Sequence, residues 1–300
     1  MAPGSKAPAL SVVKGQLLIV AATFFWGISA VFARFLFRDR AIPPLHLVEL
    51  RILLALPLLV AWIAWRNPEA LRPPREDWPQ FVILGALGVA AIQGSYYYSI
   101  SVLGVGLSIL IQYLAPALIV GFEMLRGVRP RPVTLAALAI AVLGTVLLVG
   151  SFTPAGGHIR LYQWIIGFSS AVTFAFYIVY SKRMIGKHPP ERVLLYSFLV
   201  AGTIWMIVTP PWRIVAAGYP REVWAGFGVM AIISVALPFV CFNAGLRLLP
   251  AARAGILAML EPVVAIVGSA IALGEGLAPR QWMGAVLVLL ASGLAARRND

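Results

Sequence analysis

Ten long runs of apolar residues, most of them near twenty residues in length, make up most of this chain. A helix that crosses a bilayer needs about 20 apolar residues. Only helices and closed barrels satisfy backbone polar groups inside lipid, and these runs lack the period-two alternation of a barrel strand. We therefore expect an all-α integral membrane protein with ten transmembrane helices, at about 15–36, 45–65, 81–103, 105–125, 133–150, 163–182, 193–210, 223–246, 252–273 and 281–296.

The composition excludes a soluble globular chain. Hydrophobic residues make up 61% of the sequence and charged residues only 12%, whereas soluble domains carry about 25% charged residues. The single cysteine, Cys241, lies in an apolar run and cannot form an internal disulfide. The first apolar run is longer than the core of a cleavable signal peptide and more runs follow it, so we interpret it as a retained helix.

The positive charges indicate how the chain is oriented. Most of the 24 lysines and arginines fall in the two tails and in alternate loops. Basic residues accumulate on the cytoplasmic side of membrane proteins, and an even number of spans places both termini on one side. We expect a multi-pass protein of the bacterial inner membrane with both termini cytoplasmic. The net charge of +13 is then a consequence of topology, and we expect no nucleic-acid partner.

An internal repeat is visible when the chain is offset by about 146–150 residues. Leu114 and Pro116 then match Leu260 and Pro262. Each copy holds five spans, and an odd number forces the second copy to enter the membrane from the opposite side. Inverted repeats with interrupted helices are typical of alternating-access transporters. Pro116 and Pro262 are therefore the candidate hinge or kink positions, although proline is also common in ordinary transmembrane helices.

The repeat also predicts how the chain is divided into segments. The predicted segments are an N-terminal cytoplasmic tail at 1–14, a first repeat at 15–150, an extracytoplasmic linker at 151–162, a second repeat at 163–296 and a cytoplasmic tail at 297–300.

Four short motifs carry a resemblance to a known family: Trp26-Gly27, Arg51, Leu260-Glu261-Pro262 and Gly274-Glu275. In this order and spacing the chain resembles the EamA-type, ten-helix branch of the drug/metabolite transporter superfamily. Within that branch it is similar to bacterial exporters of aromatic and other amino acids. The resemblance implies a secondary exporter of small metabolites that uses a central cavity between the two repeats.

Charged side chains within spans are costly in lipid and are candidate functional groups. Glu261 is suited to bind a substrate ammonium or carry a proton, and helix packing is the alternative role. Arg51 is suited to attract a substrate carboxylate, and extension of its side chain to the interface is the alternative. Glu49 lies two residues before Arg51, so the two side chains point to roughly opposite sides of the helix. His46 lies at the predicted outer mouth, either touching substrate or solvated.

Uncharged polar and aromatic residues at middle depth form a second candidate set. Their amide, hydroxyl and ring surfaces suit an amphipathic metabolite, whereas the alternative is hydrogen bonding between helices, worth about 0.6 kcal/mol per pair. The predicted substrate-binding residues of this kind are Thr23, Trp26, Gln93, Tyr97, Ser108, Gln112, Thr173, Tyr177, Tyr180 and Asn243.

Competing functions find little support in the sequence. It contains no serine elbow, no His/Glu helix pair and no P-loop, so an intramembrane enzyme or an ATP-driven pump is disfavoured. It contains no TVGYG-like filter either, which disfavours a channel of that kind. We expect an alternating-access carrier for neutral or aromatic amino acids, or for a different small metabolite or drug. We expect its partners to be the substrate and the bilayer, and we expect no metal or cofactor. The sequence does not determine the number of subunits, and a monomer is one option.

Overall fold

The computed structural model describes residues 9–40, 42–72, 76–103, 105–149, 160–273 and 277–297, and these residues contain helices and no strand. Ten long helical spans, α1–α10, follow one another through short connections. Four of the spans change geometry partway and are given in pieces. The spans are α1 Ala9–Asp39, α2 Pro44–Arg66, α3 Trp78–Ile83 with Leu84–Ala90 and Ala91–Leu103, α4 Val105–Gln112 with Ala115–Leu125, α5 Pro132–Val149, α6 Leu161–Ile185, α7 Pro190–Val208, α8 Arg221–Met230 with Ala231–Ala236 and Leu237–Leu248, α9 Ala251–Ala258 with Glu261–Leu273, and α10 Pro279–Ala296.

These spans make the protein an integral membrane protein of two inverted five-helix repeats. Nine helices within the described ranges are long and apolar enough to cross a bilayer, and α10 adds eighteen residues, within the range of about 17–25 that a span requires. Large apolar side chains such as Leu17 and Ile207 point outward, as lipid contact allows. We call the surface that holds the beginning of α1 the N-terminal face, and the other surface the opposite face.

The predicted spans match the observed helices with shifts at their ends. The largest shift is in α1, which begins at Ala9 rather than at residue 15. Most of the predicted linker at 151–162 lies outside the described residues, and so does the Gly274-Glu275 motif. The same holds for residues 1–8 of the predicted N-terminal tail and for residues 298–300 of the predicted C-terminal tail. The division into segments stays a prediction.

The spans α4 and α9 are interrupted at corresponding points. Proline cannot donate a backbone hydrogen bond, so Pro116 and Pro262 each leave a carbonyl one turn earlier without its helical partner. The backbone tightens just before each proline: Leu114 N donates to Ile111 O over 3.0 Å, and Leu260 N donates to the carbonyl of residue 257 over 3.2 Å. Both bonds are of the i to i−3 type. The repeat therefore extends to individual backbone hydrogen bonds.

The spans α3 and α8 share a different irregularity. Each contains one stretch of π-helix, at Leu84–Ala90 in α3 and at Ala231–Ala236 in α8. The stretch in α3 packs against α7, and the stretch in α8 packs against α2. The third span of each repeat therefore contacts the second span of the other repeat. Such π segments are rare and often occur at functional sites.

Glycine allows two close helix contacts. A Cβ atom at Gly284 of α10 would lie 2.5 Å from the backbone nitrogen of Leu148 in α5, and one at Gly27 of α1 would lie 2.5 Å from Cβ of Val264 in α9. Only a residue without a side chain fits at such separations. The fifth span of one repeat thus packs along the fifth span of the other, and α1 lies against the interrupted α9.

Candidate functional site

A cavity of about 620 Å³ lies between the two repeats. Its lining residues belong to the middle of the spans and to the halves nearer the opposite face, so the cavity extends from middle depth toward that face. Its volume lies within the range of about 300–1,000 Å³ typical of small-molecule sites. Six predicted site residues line it: Trp26, Arg51, Gln93, Tyr97, Gln112 and Glu261.

Arg51 provides the positive charge of the cavity. Its side chain is buried in α2 and donates a hydrogen bond to Oε1 of Gln93 in α3. The Arg51 guanidinium carbon lies 4.7 Å from the ring centroid of Tyr97, close enough for a cation–π contact. Nε of Arg51 has no hydrogen-bond partner within the described ranges. Arg51 is therefore oriented by α3 rather than extended to the membrane surface, and it lines the cavity.

Glu261 provides the negative charge. It is the first residue of the second piece of α9, directly after the interruption. Tyr113, which lies in the interruption of α4, donates its hydroxyl hydrogen bond to Oε2 of Glu261 over 2.5 Å. A carboxylate at a helix N-terminus is also favoured by the helix dipole. Glu261 is thus held at the point where the two interrupted helices meet.

Four aromatic side chains close the cavity toward the N-terminal face; we call them the aromatic floor. The ring of Trp26 lies 5.1 Å from Phe239 and 5.2 Å from Phe242. Tyr177 lies 5.8 Å from Phe239 and 6.3 Å from Phe242. Tyr177 and Phe242 are almost fully buried. Trp26 therefore contributes both to the cavity wall and to its floor.

Four other predicted site residues lie outside the cavity lining and contact their own or a neighbouring helix. Thr23 donates to the carbonyl of residue 20 over 2.8 Å. Thr173 donates to the backbone of its own helix, and Ser108 bonds the hydroxyl of residue 99 over 2.8 Å. Tyr180 stacks on the ring of residue 176. Of these contacts, only the one made by Ser108 joins two spans, and the substrate role of all four residues stays a prediction.

Tyr177, Asn243 and His46 also lie outside the lining of the central cavity. Tyr177 belongs to the aromatic floor, and Asn243 Nδ2 donates to its hydroxyl over 2.8 Å, which places Asn243 directly beneath the floor. His46 Nδ1 lies 2.7 Å from the hydroxyl of Tyr219, in the connection between α7 and α8. Burial raises the pKa of the Tyr219 hydroxyl, so Tyr219 is neutral at physiological pH.

The structure adds polar groups that the sequence analysis did not select. Tyr113 binds Glu261, and Gln281 of α10 lines the cavity while donating to the carbonyl of Leu148 over 3.3 Å. Tyr113 directly precedes the repeated Leu114–Pro116 pattern, and this position is the sequence feature by which it could have been selected as a site residue. Within the described ranges, no group of three or more His, Cys, Asp or Glu side chains is placed to hold a metal ion.

Comparison with known proteins identifies the family. The model of the EamA-like transporter family matches twice, at residues 13–150 and 162–297. The chain is 25% identical to the uncharacterized inner membrane transporter YicL of Salmonella typhimurium, over 93% of this chain and 94% of that one. It is 27% identical to the threonine/homoserine exporter RhtA of Escherichia coli, over 77% and 75% of the two chains.

A solved crystal structure shares the fold, with a TM-score of 0.74 at 22% identity over 94% of this chain and 96% of that one. The relatives are transporters or exporters and not enzymes, and the expected resemblance to the drug/metabolite transporter superfamily is confirmed. With two copies of the family model and ten apolar helices around a central cavity, the chain belongs to the EamA-like transporter family and is a membrane transporter of small metabolites.

Proposed function

We propose that this transporter exports neutral amino acids by alternating access. The side chains of these amino acids are either small and hydroxylated or aromatic. The observation that carries the proposal is the presence of one buried cation and one carboxyl group in the same cavity, Arg51 and Glu261. An amino-acid zwitterion carries the complementary pair of charges. Inside the protein the effective dielectric constant is lower than that of water, so each pairing is stronger than it would be in solution. A ligand that carries both charges therefore binds more tightly than one that carries a single charge.

The remaining walls suit a small side chain. Gln93 and Gln112 offer amide groups, while Trp26, Tyr97 and Phe239 offer aromatic surfaces. Binding sites commonly combine apolar walls with a few placed polar groups in this way. RhtA, which the chain resembles over three quarters of its length, is named as an exporter of threonine and homoserine, both neutral hydroxylated amino acids.

In the mechanism we propose, Arg51 receives the substrate carboxylate and Glu261 receives the ammonium. The cavity extends toward the opposite face and the aromatic floor closes it toward the N-terminal face, as in a conformer that releases substrate outward. Because α4 and α9 are interrupted next to Glu261, their two halves can change angle while the bound substrate stays in place. The driving force is a gradient rather than ATP, for which the sequence offers no P-loop.

The location in the proposal is the bacterial inner membrane, with both termini cytoplasmic. The distribution of basic residues supports this orientation, and YicL is named as an inner membrane transporter. Membrane-impermeant maleimide labelling of Arg160→Cys and Lys187→Cys variants in intact cells tests it. We expect labelling at position 160 and none at position 187. The reverse pattern would invert the orientation, and labelling of both from outside would contradict the ten-span topology.

Flux measurements in proteoliposomes test the substrate. We expect saturable counterflow of labelled L-threonine or L-phenylalanine that other neutral amino acids inhibit. The matched controls are threoninamide, which lacks the carboxylate, and N-acetylthreonine, which lacks the ammonium; we expect each to compete at least about tenfold less well, since each loses one charge pairing. Equal competition by all three compounds, or no saturable flux with any amino acid, would refute the proposal.

A further inference from the structure

A second pocket, of about 190 Å³, opens at the N-terminal face between α1, α2, α7 and α8. It lies on the other side of the aromatic floor from the central cavity. Phe239 lines the cavity, whereas Asn243, one helical turn further along α8, lines the pocket. The hydrogen bond from Asn243 Nδ2 to the hydroxyl of Tyr177 joins the pocket to the floor. The two spaces are thus separated by one layer of side chains.

The pocket combines charges of both signs. Lys14 at the beginning of α1 and Arg66 at the end of α2 supply two cations, and Glu191 at the beginning of α7 supplies a carboxylate. The guanidinium of Arg66 lies 5.8 Å from the ring centroid of Trp62, which also lines the pocket. None of the three charged groups forms an ion pair with another described residue. Each therefore remains available to a ligand.

The inner end of the pocket holds an unsatisfied acceptor. Asn243 is only 1% exposed. Its Nδ2 donates to the Tyr177 hydroxyl over 2.8 Å and to the carbonyl of Phe239 over 2.9 Å, so the orientation of the amide is defined. Its Oδ1 has no hydrogen-bond partner among the residues that the structure describes. A buried acceptor without a partner is costly and calls for an explanation. Because Oδ1 has almost no accessible surface, a ligand donor reaches it only when the side chains of the aromatic floor move.

We propose that this pocket is a loading site for a zwitterion with a carboxylate and an ammonium, occupied before the substrate passes the aromatic floor. Lys14 and Arg66 bind the carboxylate, while Glu191 accepts a hydrogen bond from the ammonium. Asn243 Oδ1 becomes a further acceptor as the floor opens and the substrate passes it. The assignment of a free amino acid as the ligand rests on the proposed function. The same pairing of an anion with an ammonium occurs in the head group of phosphatidylethanolamine, so the experiment must separate these two sources.

The experiment measures flux separately from each face of the membrane. Vesicles that expose an N-terminal epitope tag are captured on antibody, so that external labelled L-threonine meets the N-terminal face; the uncaptured vesicles report the opposite face. The variant is Lys14→Gln combined with Arg66→Gln. The matched control is Arg129→Gln, which removes a positive charge from an exposed side chain on the same face that lines neither space. Size-exclusion profiles in detergent verify folding.

We expect the double variant to raise the KM for threonine at least about tenfold from the N-terminal face, since two charge pairings are lost. From the opposite face the KM stays within about twofold of the native value, because the substrate then meets the central cavity first. The control Arg129→Gln changes neither value. A second variant, Glu191→Gln, raises the KM for threonine from the N-terminal face. It does not weaken inhibition by N-acetylthreonine, because this compound has no ammonium for Glu191 to bind.

Three results would overturn the inference. A KM that changes equally from both faces, or from neither, means that the pocket is not a loading site. An effect that appears in phosphatidylcholine vesicles only after phosphatidylethanolamine is added assigns the pocket to a lipid head group. An absence of saturable flux in the native protein refutes the proposed function itself and removes the free amino acid as the ligand. In the first two results the native protein still transports, which distinguishes them from the third.

Discussion

The hydroxyl of Tyr113 donates to the carboxyl of Glu261 over 2.5 Å, and this bond joins the interruption of one repeat to the interruption of the other. Tyr113 precedes Pro116 by three residues, and the residue that corresponds to Tyr113 in the second repeat is Met259. The bond is therefore asymmetric although the helix breaks are symmetric. Tyr113 therefore holds the same carboxyl group that we propose as the partner of the substrate ammonium, and that group lies at both breaks.

Replacement of Tyr113 by phenylalanine tests this coupling. We expect Tyr113→Phe to fold normally, because the ring volume is kept, and to reduce flux by about tenfold or more, since a hydrogen bond to a charged group contributes about 1.5–3 kcal/mol. Counterflow in proteoliposomes measures the change. The matched control is Tyr162→Phe, an exposed tyrosine at the beginning of α6. Equal flux in both variants would mean that the bond has no part in transport.

Replacement of Arg51 tests the carboxylate site. We expect Arg51→Gln to raise the KM for threonine by at least about tenfold, because the carboxylate loses its charged partner. Inhibition by threoninamide, which has no carboxylate, should change much less. Arg213→Gln is the control, since Arg213 is exposed and lines neither space. A KM rise that is as large for the amide as for threonine would instead indicate that Arg51 only supports Gln93 and Tyr97.

The pH dependence of flux tests Glu261. A carboxylate attracts the substrate ammonium and a protonated carboxyl group does not, so the KM of the native protein should rise as the pH falls and Glu261 gains its proton. Glu261→Gln cannot titrate, and we expect a KM that is high at every pH and nearly independent of it. Threonine counterflow between pH 5 and pH 8 makes the measurement. If Glu261→Gln showed normal flux with the native pH profile, Glu261 would neither bind the substrate ammonium nor carry a proton during transport.

Replacement of the helix-breaking prolines tests the conformational change. We expect Pro116→Ala and Pro262→Ala to allow more regular helices, because alanine supplies the missing backbone donor. The maximal flux should then fall several-fold while inhibitor affinity is retained, since the change in angle becomes harder but the binding groups stay in place. Pro57→Ala in α2 is the control, because Pro57 is exposed and lies outside both interruptions. Unchanged maximal flux in the first two variants would remove the hinge role.

Stability tests the contact between α5 and α10. A Cβ atom at Gly284 would lie 2.5 Å from the backbone nitrogen of Leu148 and 2.6 Å from the carbonyl oxygen of Gly144, so Gly284→Val must push the helices apart. Overpacking costs about 1–3 kcal/mol, and we expect a lower unfolding temperature in detergent by scanning fluorimetry. Gly293→Val, on the same helix with nothing within 4 Å of the added Cβ, should leave that temperature close to the native one.

Much of this fold could be predicted because membrane insertion acts locally on the sequence. An apolar run of about twenty residues must form a helix in lipid, whatever its neighbours are. The ten helices and the two repeats therefore followed from spacing alone, and so did Pro116 and Pro262 as candidate break points. Arg51 and Glu261 were selected on the same ground, since a charge in lipid is costly wherever the helix lies.

The partners of these residues depended on the tertiary structure. Helical periodicity shows which side chains share a face of a helix but not which face turns inward. Gln112 and Ser108 lie in one span, and both were therefore predicted to bind substrate. In the structure Gln112 lines the cavity, whereas Ser108 bonds Ser99. The sequence determined which groups are too costly to leave in lipid. Only the packing of ten helices decided that Tyr113 meets Glu261, because that contact joins residues 148 positions apart, and no local property of either segment encodes it.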